Sequence, residues 1–416
     1  MVSSRAARLG TLAIAVPAGV NLAIGIWLAW RDPSRASDLA TIYAWTRGWI
    51  VEGARHYTGV HDAVDYPPNA LVVLSPLGLL PRPLVVPVWI AAGVALAAVL
   101  PYLAVRCATP RAGLALLPTL LFWCWTSTRT LLQFTPLSLA LALASALAAD
   151  TRWRSSGVLL GLALFKPHIA GPFALWALLS GRLRVVAVAL AVVAAGVGVY
   201  SVRVGESPVE TLRGYWPSLV GLYSGESAMN GKTSIRELVA AGTVDPRTAD
   251  AVWIALAACL VAAAVWLASR DPRRPLPDGG IGIPALFCLC SLAAVYHNVN
   301  NLVLLLPAFV FLWFRAGDRP PRWTQLACLQ AVLMFDLPTR LDGMVPRGTL
   351  AAFFVAHGDR LVVLACFVDV AAAWVGITRT SGRGSATLKA WPDAESALRS
   401  KADPASRASP GVARRE

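Results

Sequence analysis

The sequence contains few charged residues. Asp, Glu, Lys and Arg make up 14% of its 416 residues, whereas a soluble globular protein has roughly 25%. Hydrophobic residues make up 56%, and the mean hydropathy is +0.59. Long apolar runs bounded by short charged loops are typical of membrane-spanning helices. The composition therefore excludes an ordinary soluble domain and predicts an all-α, polytopic integral membrane protein.

Acidic residues are scarcer than basic ones. The 23 Asp and Glu residues stand against 37 Lys and Arg residues, which gives a net charge of +14. No basic patch is interleaved with aromatic residues in the way that stacks nucleic-acid bases. The basic residues instead collect in loops and in the tail, as the positive-inside rule expects of cytoplasmic segments. We therefore expect no nucleic-acid partner, a lipid bilayer around the chain, and both termini in the cytoplasm.

Motifs for metal and nucleotide binding are also missing. The seven cysteines fall mostly in apolar runs and show neither metal-ligand spacing nor a disulfide pattern. No cluster of carboxylates suits a metal ion. The segment "NGKTS" at 230–234 lacks the Gly-x-x-x-x-Gly-Lys-Ser/Thr spacing of a phosphate-binding loop. The sequence therefore predicts no metal and no cofactor.

Apolar runs divide the chain into about twelve predicted transmembrane helices. The first run is too long for the core of a cleaved signal, so we expect it to be retained. The predicted spans are residues 9–30, 69–81, 84–105, 112–127, 131–149, 156–180, 184–201, 250–269, 281–297, 299–316, 323–341 and 350–378.

The span count defines the predicted organisation of the chain. Residues 1–378 form one transmembrane domain with two long outer loops, 31–68 and 202–249, and residues 379–416 form a basic cytoplasmic tail predicted to be disordered. The topology of residues 106–155 stays open, because their basic loops fall outside in a simple twelve-crossing count. The Ala, Val, Leu, Arg and Gly bias is typical of a bacterium with a high GC content, so we expect a bacterial plasma membrane.

Residues 35–57 form a polar, aromatic-rich segment directly after the first span. Apolar residues recur with helical spacing on one side and charged residues on the other. This pattern predicts a helix that lies flat on the membrane, with its aromatic rings at headgroup level. Asp38 opens this helix and has two candidate roles: it can cap the helix, or it can deprotonate a hydroxyl at the membrane rim.

Lys166 lies inside the apolar run "LGLALFKPHIAGPFALW" at 160–176. Ionisable side chains inside a membrane are costly and usually face an interior cavity. A lysine in such a cavity provides a compact counter-charge for a phosphate. The alternative is a lysine at a helix end whose ammonium group reaches the membrane surface.

Two further polar groups flank apolar helices. His297 lies between Tyr296 and Asn298, and it can donate to a phosphate oxygen or a sugar hydroxyl, or be a packed polar residue. Arg129 and Gln133 lie four residues apart on one helical face. An arginine there suits bidentate binding of phosphate, and it equally suits a topology signal in a loop.

These motifs follow one another in an order that resembles glycosyltransferase family 87. The motifs are an early outer-loop Asp38, "YPP" at 66–68, Lys-Pro at 166–167, an outer-loop Asn230 with Ser234 nearby, and the late pair Tyr296-His297. The family belongs to the GT-C superfamily of integral membrane transferases. It includes α-1,2-mannosyltransferases of lipoglycan biosynthesis that depend on polyprenol-phosphate-mannose.

The resemblance implies a GT-C fold and a hexosyltransferase, specifically an α-mannosyltransferase. Such an enzyme moves a sugar from a polyprenyl-phosphate donor to a hydroxyl of a glycolipid or lipoglycan acceptor at the outer face, with inversion, and Asp38 is the implied general base. The implied ligands of the donor phosphate are Lys166, His297 and Arg129. The implied sugar- or acceptor-binding residues are Tyr66, Gln133, Asn230, Ser234, Tyr296 and Asn298.

Two positions depart from the family pattern. No Arg follows His297, and the Gly-Gln motif of the family is Leu132-Gln133 here. The resemblance implies that both changes lie where the sugar or the acceptor is bound. The alternative function is a twelve-helix secondary transporter, which the helix count and the intramembrane Lys166 favour. The two long outer loops favour the transferase, because a rocking carrier does not need them.

Overall fold

The structure, a computed structural model, describes residues 4–31, 37–57, 64, 66–109, 131–224, 235–241, 245–274, 276, 280–295, 299–315 and 350–382. All regular elements in this described part are helices. The chain divides into two compact units, residues 1–374 and 375–416, and the described part of the second is residues 375–382. The predicted spans 112–127 and 323–341 lie outside the described residues, as does the tail beyond residue 382.

We number the α-helices in chain order. They are α1 (Ser4–Arg31), α2 (Ser37–Arg47, continued by a π-helical turn at Gly48–Glu52), α3 (Pro68–Val73), α4 (Ser75–Gly78), α5 (Arg82–Ala108), α6 (Thr135–Ala148), α7 (Trp153–Ala163), α8 (Pro167–Leu179), α9 (Leu183–Val204), α10 (Pro208–Ser224), α11 (Ile235–Ala241), α12 (Pro246–Ser269), α13 (Gly282–Ala294), a 3₁₀ helix (Val299–Leu304), α14 (Leu305–Arg315) and α15 (Leu350–Gly382).

Among the described helices, α5, α9 and α12 are long and apolar enough to cross a bilayer. Shorter apolar helices accompany them at Thr135–Ala148, Pro167–Leu179, Gly282–Ala294 and Asn301–Phe314. The all-helical, membrane-embedded class is therefore confirmed. The count of twelve spans is not, because two of the predicted spans have a different structure.

The predicted span 156–180 is a helical hairpin. Its turn, between α7 and α8, falls at Leu164–Lys166, because a residue before proline avoids the α conformation and Lys166 has φ −120° and ψ 83°. Asp150 precedes α7 and Arg182 follows α8, and their side chains form two hydrogen bonds of 2.9 and 3.0 Å. Both ends of the hairpin therefore lie together, and α7 and α8 are antiparallel.

The predicted span 69–81 folds back to the segment that precedes it. Tyr57 Oη donates to Tyr66 O at 2.8 Å, and Tyr43 Oη donates to Leu80 O at 3.2 Å. Helices α3 and α4 have six and four residues, far fewer than the roughly 20 that a bilayer requires. The segment is therefore buried beneath α2 and does not cross the bundle.

The described parts of residues 106–155 show which end of the bundle Arg106 shares with Asp150. Helix α5 begins beside α2 and runs parallel to α6, because Gly93 packs against Leu131 and, further along both helices, Cys107 Sγ lies 3.8 Å from Leu143 O. Arg106 therefore lies at the same end of the bundle as Asp150. We call this the Asp150 end, and the opposite one the Asp38 end. The described basic residues that the twelve-span count placed outside, Arg106, Arg152 and Arg154, therefore lie at the Asp150 end.

Helices α7 and α9 pack closely along the small-residue pattern "GVLLG" at 157–161. A Cβ atom at Gly161 would lie 2.6 Å from Val192 Cβ and 2.8 Å from Ala189 O, and Gly157 is similarly enclosed. The interpretation of this pattern as a helix contact is confirmed, and the contact needs glycine at both positions.

We expect Gly161→Ala to lower the free energy of unfolding by about 1–3 kcal/mol, because the added methyl group overpacks the contact. Gly171→Ala is the matched control, since nothing lies within 4 Å of a Cβ atom there, and alanine is favoured over glycine in helices by up to about 1 kcal/mol. Denaturant unfolding of both variants in the same detergent measures the difference. Equal stabilities would contradict the packing.

Candidate functional site

Helix α2 packs on the end of α9. Leu39, Ile42 and Trp49 form its buried face, and Trp49 Nε1 donates to Tyr200 O at 3.4 Å. The prediction of an amphipathic helix is correct. Its apolar face, however, contacts the protein's own helices, because the fold-back at 66–80 and the end of α9 cover it.

Asp38 lies in the first turn of α2 and faces the start of α6. Gln133 Nε2 donates a hydrogen bond of 2.6 Å to Asp38 Oδ2. Charge-assisted hydrogen bonds of this kind are short and strong, so they fix the orientation of the carboxylate. Gln133 is the hydrogen-bond partner of this carboxylate within the described part of the chain.

Lys166 is buried beside the start of α6. Only 7% of the residue is exposed, so its ammonium group does not reach the surface as the alternative interpretation required. Its Nζ donates to Thr135 Oγ1 at 2.9 Å, and the Thr135 hydroxyl donates to Asn301 Oδ1 at 2.7 Å. Nζ also lies 5.4 Å from the centre of the Tyr66 ring, a cation–π distance. Two predicted site residues, Lys166 and Tyr66, are thus in contact.

Three consecutive residues connect the two parts of the site. Gln133 bonds Asp38, Phe134 packs edge-on against Tyr66 at 6.4 Å, and Thr135 bonds Lys166. The Cα atoms of residues 133 and 135 are separated by at most about 7 Å, since consecutive Cα atoms lie 3.8 Å apart. The residues that bond the carboxylate and the ammonium group are therefore close together, and they define one candidate site.

The starts of α6 and α8 meet at this site. Both helices have proline in the first turn, and their N-cap residues, Phe134 and Lys166, form no side-chain capping bond. The first-turn N–H groups of a helix carry a partial positive charge that attracts anions. Together with the Lys166 ammonium group, these helix starts make the site electropositive, which suits a phosphate.

Sequence reasoning missed two polar residues at this site and one, Asn69, on the fold-back. Thr135 and Asn301 extend the hydrogen bonds of Lys166, and they resemble ordinary polar residues at helix starts. Asn69, which is 2% exposed, packs against Gly196. Its Nδ2 atom has no hydrogen-bond partner in the described part of the chain. Its position directly after the "YPP" motif was the available signal, and a buried unpaired donor indicates a water or ligand partner.

The remaining predicted site residues lie outside the described residues. The chain on either side of 296–298 is anchored at the site, because Ser291 Oγ donates to His168 O at 2.6 Å and Asn301 bonds Thr135. The residues outside are Arg129, Asn230, Ser234, Tyr296, His297 and Asn298.

Metal ligands do not group together in the described ranges. No set of three or more His, Cys, Asp or Glu side chains there could hold a metal ion. The described residues of the candidate site are a carboxylate, Asp38, and a buried ammonium group, Lys166.

These features define an integral membrane protein with a carboxylate and an anion-attracting pocket at one end of its helices. The model of glycosyltransferase family 87 matches residues 65–291, more than half of the chain, and the chain belongs to this family. No curated protein and no solved structure matches. The protein is therefore a membrane glycosyltransferase that uses a sugar donor and an acceptor. This membership argues against the transporter. Tyr66, Gln133 and Lys166 lie in the matched segment, and Asp38 precedes it.

Proposed function

We propose that this glycosyltransferase moves mannose from a polyprenyl-phosphate donor to a hydroxyl of a lipid-linked glycan, with inversion at the anomeric carbon. The observation that carries the proposal is the pairing of Asp38 with Gln133, two residues from the contact between Thr135 and Lys166. A transfer from a lipid phosphate needs a base for the acceptor and a cationic pocket for the leaving phosphate, and both are available here.

Asp38 is the proposed general base. As the acceptor oxygen bonds to the anomeric carbon, Asp38 Oδ1 takes its proton, and the bond from that carbon to the phosphate oxygen breaks. Attack from the side opposite the phosphate converts a β-mannosyl phosphate into an α-mannoside. Gln133 holds Oδ2 during this step, so the carboxylate meets the acceptor in one orientation.

The leaving group is a lipid phosphate that gains negative charge as the bond breaks. Fixed cationic groups stabilise developing charge best inside a water-poor site. Lys166 and the starts of α6 and α8 are the described groups with this property, and His297 and Arg129 are further proposed phosphate ligands. The proposed sugar- or acceptor-binding residues are Tyr66, Gln133, Asn230, Ser234, Tyr296 and Asn298.

The proposed location is a bacterial plasma membrane, with the Asp38 end outside. The short connections at the Asp150 end are rich in arginine: Arg152 and Arg182 flank the hairpin, and the Arg273 side chain lies 3.7 Å from the Cβ position of Gly181. The positive-inside rule counts such short loops and places them in the cytoplasm. The longer connections at the Asp38 end then face outward, where polyprenyl-phosphate sugars and lipoglycan acceptors are presented.

Purified full-length protein tests this proposal with synthetic β-mannosyl polyprenyl phosphate and a mannosylated glycolipid. We expect the acceptor to gain one hexose by mass spectrometry and the new anomeric signal to be α by NMR. Turnover should persist in excess chelator. A β-linked product would contradict the inverting mechanism, because retention requires a second displacement.

A further inference from the structure

A second cavity lies at the Asp38 end, outside the site described above. It has a volume of about 1200 Å³ and lies between the end of α1, α2 with its π-helical turn, and the start of α5. Its lining residues are Trp30, Leu39, Ala40, Tyr43, Ala44, Arg47, Glu52, Pro81, Arg82, Pro83, Val85, Val86 and Pro87. We call this cavity the α1–α2–α5 groove.

The groove lies on the far side of α2 from the catalytic carboxylate. Ala40, Tyr43, Ala44 and Arg47 line it, and their spacing of three and four residues places them on one helical face. At roughly 100° per residue, Asp38 lies nearly opposite this face, where it bonds Gln133. A molecule in the groove therefore does not touch the Asp38 carboxylate.

The groove carries two arginines, Arg47 and Arg82, that form no ion pair with a described carboxylate. Within the described residues, neither Arg47 nor Arg82 has an acidic group within the 4.0 Å of an ion pair, and Glu52 is the one acidic lining residue. Arg47 donates one hydrogen bond, to Gly78 O at 3.5 Å. The remaining guanidinium N–H groups match the oxygen atoms of a phosphate, which arginine binds in bidentate fashion.

The other walls of the groove are apolar and aromatic. Val85 and Val86 from α5 and Leu39 from α2 form an apolar side, while Trp30 and Tyr43 line the groove as well. Trp30 is exposed at the end of α1, as tryptophan is at the level of lipid headgroups. A free anion would contact only the arginines. A lipid contacts the arginines through its phosphate and the apolar side of the groove through its first methylene groups.

We propose that the α1–α2–α5 groove binds the phosphodiester headgroup of an anionic bilayer lipid, at a site separate from that of the donor. Arg47 and Arg82 hold the phosphate, and Val85 and Val86 contact the chains. The bound lipid holds α2, the helix that carries Asp38, against the start of α5. The inference concerns a different site from the proposed function, and it is tested by binding rather than by turnover.

Native mass spectrometry of the full-length protein in detergent measures the occupancy. We expect one dioleoylphosphatidylglycerol to be retained, with dioleoylphosphatidylcholine retained at least tenfold more weakly. The double variant Arg47→Gln, Arg82→Gln should lose at least tenfold in affinity for phosphatidylglycerol. Arg213→Gln, an exposed arginine on α10 outside the groove, is the matched control and should bind like the wild type, as should Asp38→Asn.

Competition distinguishes the possible sources of the phosphate. Inorganic phosphate at millimolar concentration should leave phosphatidylglycerol bound. If inorganic phosphate displaced the lipid, the groove would be a site for a free anion, and the lipid proposal would be wrong. Displacement of phosphatidylglycerol by stoichiometric polyprenyl phosphate would overturn the proposal, because the groove would then be the donor site. Equal binding by the wild type and the double arginine variant would also overturn it.

Discussion

Asp38→Asn should reduce turnover by about 10²–10⁴-fold, the contribution typical of a general base, while donor affinity stays unchanged. Asparagine keeps the shape of the side chain, and its Oδ1 atom can accept the hydrogen bond from Gln133 Nε2 that Asp38 accepts now. The substitution therefore removes the proton acceptor and little else. The measurement is single-turnover transfer at saturating donor, together with equilibrium binding of the donor.

Two companion variants separate chemistry from structure. Asp150→Asn removes an exposed carboxylate at the opposite end, where a surface ion pair contributes about 0–1 kcal/mol, and it should retain full turnover. Gln133→Leu leaves the base in place without its positioning partner, so it should slow transfer less than Asp38→Asn does. Full activity in Asp38→Asn would remove this residue from the mechanism.

Lys166→Met should weaken donor binding by on the order of 10–100-fold, the equivalent of a lost hydrogen bond to a charged group. The buried ammonium group is the described cation beside the starts of α6 and α8. Methionine fills a similar volume without the charge, so the loss reports on phosphate binding. Titration of the purified variant with polyprenyl-phosphate-mannose measures it.

The donor-free stability of the same variant distinguishes binding from packing. Replacing a buried charge with an apolar side chain is often neutral or stabilising by about 1–4 kcal/mol, so Lys166→Met should unfold at the same or a higher denaturant concentration. Arg184→Met, an exposed cation at the Asp150 end, should change neither property. Unchanged donor affinity with lowered stability would give Lys166 a packing role.

The membrane class and the amphipathic α2 were predictable because both depend on composition and local periodicity. The hairpin of α7 and α8 was not, because its turn at Leu164–Lys166 lies inside one continuous apolar run. Hydropathy reports how apolar a segment is. It does not distinguish one helix that crosses the membrane from two helices that form a hairpin. The ion pair of Asp150 with Arg182 shows that the two ends of the hairpin lie together. It joins residues far apart in sequence, so the sequence does not reveal it.

The fold-back at 66–80 was hidden for a related reason. Its apolar residues are buried by α2 and α9 rather than by lipid, and hydropathy treats both surroundings alike. Prolines before α3 and in α4 indicate breaks, but they do not indicate the direction of the chain after them. This one segment, counted as a crossing, is what placed the basic loops of 106–155 outside in the twelve-span count.

The candidate site residues were easier to identify in the sequence than their contacts. Asp38 and Lys166 stand out because charged residues are rare beside apolar runs. Their contacts were not predictable, since Gln133 is separated from Asp38 by 95 positions and Asn301 from Thr135 by 166. A hydroxyl or amide at a helix start is common, and only tertiary structure distinguishes one that bonds a buried lysine.

The most direct test of the central claim is a comparison of donors under identical conditions. Purified wild-type protein receives the same mannosylated glycolipid acceptor with either polyprenyl-phosphate-mannose or nucleotide-linked mannose, and the product is quantified by mass spectrometry. The account predicts transfer from the lipid phosphate alone, and loss of that transfer in Asp38→Asn. Transfer from the nucleotide sugar, with none from the lipid phosphate, would contradict it.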